Sequence, residues 1–165
     1  MPLGRRTASA LLVATLLIAG CAQPARTTAS FDLKTGPWTG RLALQVQDNQ
    51  SQSFSASFEL KGQASAGELT LFTPLGSTAA VLTWSPGTAA LQTNGQARQA
   101  GSVDALVAQA TGAAIPVAAL FDWLAGINTP VAGWQADLSG MGEGRLRAQR
   151  TDPPPLADLR VVLDR

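Results

Sequence analysis

The chain of 165 residues contains no histidine, no tyrosine and one cysteine. Without histidine, the commonest general base and zinc ligand are missing, and with them every Ser-His-Asp or Cys-His arrangement. A single cysteine excludes an intramolecular disulfide. Charge is also scarce. Asp, Glu, Lys and Arg make up 14% of the chain, where an average soluble protein carries about 25%. Twelve Lys and Arg face eleven Asp and Glu. Removing Arg5 and Arg6, which lie in a segment read below as cleaved, leaves ten against eleven, a net charge of −1. A nucleic-acid-binding protein normally shows a basic patch, so that class is set aside. No cofactor and no metal are expected. The acids Asp48, Glu59, Glu68, Asp104, Asp122, Asp137 and Glu143 are scattered at no spacing that pairs them, so the chain does not read as an enzyme. Gly140-Met141-Gly142-Glu143-Gly144 has the G-x-G-x-G form. A phosphate loop would need a following helix; strand-like residues follow, and a hairpin is expected instead.

What is present begins with an address. Arg5 and Arg6 precede an apolar run, Ala8–Ala19, which ends in Ile18-Ala19-Gly20-Cys21. A basic start, a short apolar stretch and small residues at a cut site make a secretory signal. The run is too short for a membrane-spanning helix, which needs about 20 apolar residues. Residues 1–20 are thus expected to be a signal peptide. Cys21, directly after the small residues, resembles the lipobox cysteine of bacterial lipoproteins, whose thiol receives a diacylglycerol and whose new amine is acylated. One acyl chain anchors only marginally, whereas two or more hold a protein at a membrane. Residue 22 is Ala rather than the Asp that usually marks inner-membrane retention in Gram-negative sorting, so the resemblance points to the outer membrane. Residues 21–37 are rich in Ala, Thr, Ser and Pro and read as a tether. A flexible segment of this length has a root-mean-square span of roughly 20–25 Å.

Residues 38–165 read as one folded domain. From Trp38 the period becomes two: Trp38, Gly40, Leu42, Leu44 and Val46 alternate with more polar residues, as a half-buried strand requires. Phe54, Ala56, Phe58 and Leu60 alternate with Ser53, Ser55, Ser57 and Glu59. Further strands are expected at Glu68–Phe72, Ser77–Trp84, Thr88–Thr93 and Gln96–Ala100, with a tight turn at Asn94-Gly95. Ser102 is placed to cap a helix Val103–Ala110, and Pro116 to open a second, Pro116–Ala125. Both are shorter than the 12–15 residues of a helix that stands alone, so both must pack on the sheet. Strands resume at Trp134–Leu138, Gly144–Arg150 and Leu159–Leu163. The class is α+β, an antiparallel meander with two short helices inserted. Two readings of its apolar excess stay open at this level. One is a filled core, as in a lipid-anchored structural or assembly lipoprotein without a lipid ligand. The other is a half-open barrel whose helices lid a greasy cavity.

Three segments in order resemble one family. They are Trp38-Thr39-Gly40-Arg41-Leu42-Ala43-Leu44; Leu69-Thr70-Leu71-Phe72-Thr73-Pro74-Leu75-Gly76-Ser77; and the helix from Gly112 through Ile115-Pro116, Leu120, Trp123 and Gly126. Behind a lipobox, this order and spacing resemble the LolB family of outer-membrane lipoprotein receptors, over about Trp38–Leu163. The N-terminal body is short and the C-terminal end abbreviated, which leaves the number of closing strands open. The resemblance implies a half-open antiparallel β-barrel of the LolA/LolB kind, with a helical lid over a hydrophobic cavity. It implies an anchored protein facing the periplasm that accepts lipoproteins from the carrier LolA by their acyl chains. Such a protein inserts them into the inner leaflet of the outer membrane. A one-to-one handover needs only a monomer. The turn Pro74-Leu75-Gly76 puts Leu75 at a loop apex, and the resemblance gives that position a role in membrane insertion. Given a cavity, strand parity selects its walls: Leu42, Leu44, Val46, Phe54, Phe58, Leu69, Leu71, Val81 and Leu91, with Leu120 and Trp123 from the second helix. A slip of one residue would move any strand's set to the other face.

Overall fold

The computed structural model describes residues 36–47 and 52–164. Nine strands form one sheet: β1 (Trp38–Gln47), β2 (Gln52–Gln63), β3 (Ala66–Phe72), β4 (Thr78–Ser85), β5 (Thr88–Thr93), β6 (Gln96–Ala100), β7 (Trp134–Asp137), β8 (Arg145–Arg150) and β9 (Leu156–Leu163). Two helices, α1 (Val103–Thr111) and α2 (Val117–Leu124), lie between β6 and β7 in the chain. The strand order is β6-β5-β4-β3-β2-β1-β9-β8-β7. All pairs are antiparallel. The first six strands meander outward, the helices carry the chain to the opposite edge, and the last three return to close on β1. β6 and β7 end the order without pairing to each other, so the sheet is open: an α+β half-barrel with a helical lid.

Alternation of side chains sorts the sheet into two faces. On β9, Ala157, Leu159, Val161 and Leu163 are buried while the residues between them are exposed or half-exposed. Gly40 lets β1 and β9 meet at this close spacing. Its φ is 157°, and a Cβ there would collide with the Val162 carbonyl. Elements run slightly beyond their sequence-based bounds. β2 reaches Gln63 and β9 begins at Leu156, because ladder hydrogen bonds extend pairing past the point where apolar alternation fades. Gly140–Gly144 forms a short 3-10 turn, Met141–Glu143, leading into β8 rather than into an α-helix.

The helices are fixed by their caps. Ser102 Oγ accepts the Ala105 N–H at 3.2 Å and Gly112 ends α1 at φ 75°. Pro116 sits at the cap position itself, one residue before the helical run, and its carbonyl accepts the Leu120 N–H. The side chain that caps α2 comes from α1: Asp104 Oδ1 accepts the Val117 N–H at 3.1 Å. A cap of this kind stabilises a helix by about 1 kcal/mol, and this one also fixes the two helices to each other.

The strand directions give the sheet two distinct ends. Trp38 pairs with Leu60, Gly67 with Trp84, and Gly40 with Leu163, so the chain enters β1 at the end where β2 turns into β3. At that end Phe121 of α2 stands edge-on to Trp38 (centroids 5.4 Å) and to Trp84 (6.0 Å). The Trp84 indole N–H donates to the Gln63 and Ala64 carbonyls at 3.2 and 3.1 Å. This end is plugged by aromatic rings. The opposite end holds the last residues of β1, the first of β2, and the β3–β4 and β5–β6 turns.

Candidate functional site

Between sheet and lid lies an apolar cavity of about 130 Å³. No polar surface is exposed inside it. Its sheet walls are Leu42 and Leu44 of β1, Phe54 and Leu60 of β2, Leu69 and Leu71 of β3, Ala80, Leu82 and Trp84 of β4, Leu91 of β5 and Leu159 of β9. Leu106, Val107, Ala110 and Thr111 of α1 roof it, with Ile115 of the linker and Val117 and Leu120 of α2. An adjoining chamber of about 470 Å³ shares Leu44, Phe54, Leu71 and Leu91 and adds Val46, Gln52, Ser53, Thr93 and Arg98. These additions belong to the open end of the sheet. The interior is therefore apolar at depth and polar at its mouth.

The burial pattern explains why space remains. Leu42, Leu69, Leu71 and Leu91 face the lid and Leu120 faces the sheet, yet all five are only partly buried, and Phe54, at the mouth, is 43% exposed. In a filled core at crystal-like packing density such residues would be enclosed. Among the described residues no polar or charged side chain is buried, and no group of three His, Cys, Asp or Glu is placed to hold a metal ion.

Seven of the residues expected at the cavity wall meet there: Leu42, Leu44, Phe54, Leu69, Leu71, Leu91 and Leu120. Val46 lines the outer chamber. Three expectations are corrected. Val81 pairs with Thr70 and Gln92 and lies on the outer face; its neighbours Ala80 and Leu82 point inward, a parity error of one residue. Phe58 is on the inner face but packed solid at 4% exposure, opposite Gly40 and Leu71, so it is core rather than wall. Trp123, 1% exposed, packs at 6.2 Å on Trp134. Its N–H donates to the Thr129 carbonyl at 2.9 Å, tying the loop after α2 to the helix. Strand parity does not reach the roof residues of α1. Leu106, Val107 and Ala110 share one helical face, the spacing that could have found them.

Leu75 is 94% exposed. The Gly76 N–H donates to the Thr73 carbonyl at 2.9 Å and the Thr73 N–H to the Ser77 carbonyl at 2.8 Å. Thr73 Oγ1 accepts the Ser77 N–H at 3.2 Å. Pro74 and Leu75 are thus the two central residues of a β-turn, and Gly76, at φ 82°, supplies the left-handed residue that lets the strands rejoin. Three hydrogen bonds close the turn while its apical side chain touches solvent. It projects from the same end of the sheet as the cavity mouth. Cys21 lies outside the described residues.

No helix among the described residues is long and apolar enough to cross a membrane. A family model described as "Outer membrane lipoprotein LolB" matches residues 37–152. Among similar curated proteins, the outer-membrane lipoprotein LolB of Cupriavidus pinatubonensis is 37% identical over 154 residues, covering 90% of this chain and 73% of that protein. The LolB of Bordetella petrii is 32% identical over 162 residues, covering 83% and 81%. That of Ralstonia nicotianae is 36% identical over 126 residues, covering 72% and 60%.

Proposed function

We propose that this chain, which belongs to the LolB family of outer-membrane lipoproteins, accepts lipoproteins from the periplasmic carrier LolA through their acyl chains. It then releases them into the inner leaflet of the outer membrane. One observation carries the reading. An apolar cavity opens at the end of the sheet from which Leu75 projects. The handover needs no cofactor and no reaction. A chain of about 16 carbons leaves water with roughly 12 kcal/mol of favourable transfer, at about 0.8 kcal/mol per CH₂. Such a chain does not cross an aqueous gap bare. A receptor whose walls are better than the carrier's by about 1.4 kcal/mol is preferred tenfold, and the bilayer is the final sink.

The enclosed cavity is smaller than this cargo. An apolar hole of about 150 Å³ holds one benzene, so the inner chamber takes only the end of an alkyl chain. The remainder lies along the outer chamber and requires the roof to shift. α1 is the part suited to shift, since Leu106 is its single fully buried residue, whereas α2 buries five. Cys21 carries the lipid anchor in this reading, residues 38–165 form the receptor domain, and the eight expected residues that line the two chambers belong to the acyl-chain site. Pro74, Leu75 and Gly76 form the insertion loop, with Leu75 the residue that enters the bilayer.

The test separates receipt from delivery. Leu75→Glu places a charge at a position with no packing role, so the fold and uptake from loaded LolA are expected to be unchanged. Transfer onward into liposomes is expected to fail, with cargo held on the variant. Normal delivery by the variant would remove the loop from the mechanism. Failure of both the variant and the unaltered chain to draw cargo from LolA would remove the receptor reading itself.

A further inference from the structure

We infer that the cavity mouth also binds a single-chain anionic amphiphile, with its alkyl tail in the apolar chamber and its carboxylate or phosphate head on Arg98. The inference rests on the reading of the cavity as an alkyl-chain site. Its basis is the position of one charge. β6 pairs with β5 so that Arg98 is directly opposite Leu91, and opposed residues share a face of the sheet. Leu91 lines the inner chamber, so Arg98 rises from the concave face and borders the outer chamber beside Gln52, Ser53 and Thr93.

Its surroundings distinguish it from three arginines that β8 and β9 carry on the convex face. Arg145 pairs with Glu143, and Arg147 and Arg160 both pair with Asp158. Among the described residues Arg98 has no such partner. A guanidinium offers a planar fork of donors matched to a carboxylate or phosphate. Here it stands at the rim of a chamber whose depth exposes only carbon. That order, cation at the lip and grease below, complements a molecule with an anionic head and an alkyl tail. The ester- and amide-linked acyl chains of a lipoprotein carry no anion at that depth, so cargo chemistry alone does not call for Arg98. An exposed ion pair by itself contributes little. Tail burial therefore supplies most of the affinity, and Arg98 decides between heads. A bound amphiphile of this kind occupies the space that cargo must enter and competes with it.

The test uses the mature chain from residue 21 with Cys21→Ala, which bears no acyl group of its own, and the neutral dye Nile red as reporter of the cavity. Dodecanoate, 1-lauroyl lysophosphatidate and dodecanol, all below their micellar concentrations at pH 8, are compared as displacers. The anionic compounds are expected to displace the dye at about tenfold lower concentration than dodecanol, equivalent to about 1.4 kcal/mol. Arg98→Gln is expected to abolish that advantage without altering dodecanol, and Arg98→Lys to keep part of it. An advantage confined to dodecanoate identifies a free fatty acid as the occupant; one confined to the lysolipid identifies a phosphate headgroup. Equal displacement by all three, or an advantage that survives Arg98→Gln, overturns the assignment and leaves the cavity intact. Absence of displacement by any of them overturns the cavity reading as well.

Discussion

The two ends of this half-barrel are built from different side chains and have different freedom. One end is closed by Trp38, Trp84 and Phe121, three rings in edge-on contact, with the Trp84 N–H satisfied by two backbone carbonyls. The other is walled by leucines that remain partly exposed and is rimmed by Gln52, Ser53, Thr93 and Arg98. Aromatic rings bring large area and preferred geometry, so they fill and fix. Aliphatic chains on a curved sheet, roofed by a nine-residue helix with one fully buried residue, leave room. Stability resides at the plugged end and access at the open end. A receptor for a ligand of variable protein part needs this division, because the site that yields to cargo must not be the site that holds the fold.

The largest test of the contrast is Phe121→Ala. Removal of a buried ring that touches both tryptophans is expected to cost about 3–5 kcal/mol. Denaturant or thermal unfolding reads it directly, since for a domain of this size 1 kcal/mol moves the midpoint by about 3–6 °C. Leu71→Ser, at the half-exposed wall, is expected to cost only about 1 kcal/mol of stability while weakening binding of an apolar dye about tenfold. Equal losses of stability and binding at Leu71 would mean that the wall is ordinary core and the two ends do not differ. Phe58→Ser belongs with the first substitution despite its place on the inner face, because its surroundings are packed.

The smallest expected effect lies on the convex face, on the side of the sheet turned away from the cavity. Burial of the Asp158 carboxyl would raise its pKa, but hydrogen bonds from Arg147 and Arg160 outweigh this and hold it below the ordinary value. A carboxyl depressed in the folded state adds stability at pH above its unfolded value and loses it as pH falls through the folded one. Asp158→Asn is thus expected to cost about 1 kcal/mol or less at pH 7, the side chains of both arginines being largely solvated. The difference from the unaltered chain should begin to shrink as pH falls through about 4 and vanish only below the depressed folded value. Dye binding should not change at any pH. Chemical denaturation across that range, with dye titration alongside, measures both.

Much of the architecture was legible because its signals are local. Alternation in Phe54–Leu60, Asn94-Gly95 between two strands, and Ser102 before Val103 each fix an element without reference to the rest of the chain. The cavity was legible where alternation is unbroken, as at Leu42 and Leu44, and failed where a strand is apolar on both faces. Ala79-Ala80-Val81-Leu82 offers no polar residue to mark the outside, so parity alone does not show that Val81 points outward. Trp123 leaves the cavity for another reason. A helix periodicity shows a stripe but not its partner, and the partner, Trp134, arrives from a strand beyond the helix. Space itself is not a local property. Phe58 and Leu71 are cross-strand neighbours on one face, and only the position of the lid makes one of them core and the other wall.

The claim that an acyl chain enters between this sheet and its lid is most directly tested by photo-crosslinking from the two faces of adjacent strands. With benzoylphenylalanine in place of Leu91, whose side chain lines the chamber, ultraviolet irradiation during transfer from LolA is expected to capture the cargo's acyl chains. With the same group at Val81, on the outer face of the neighbouring strand, no acyl adduct is expected. Adducts of equal yield from both positions, or from neither while transfer proceeds, would contradict the account.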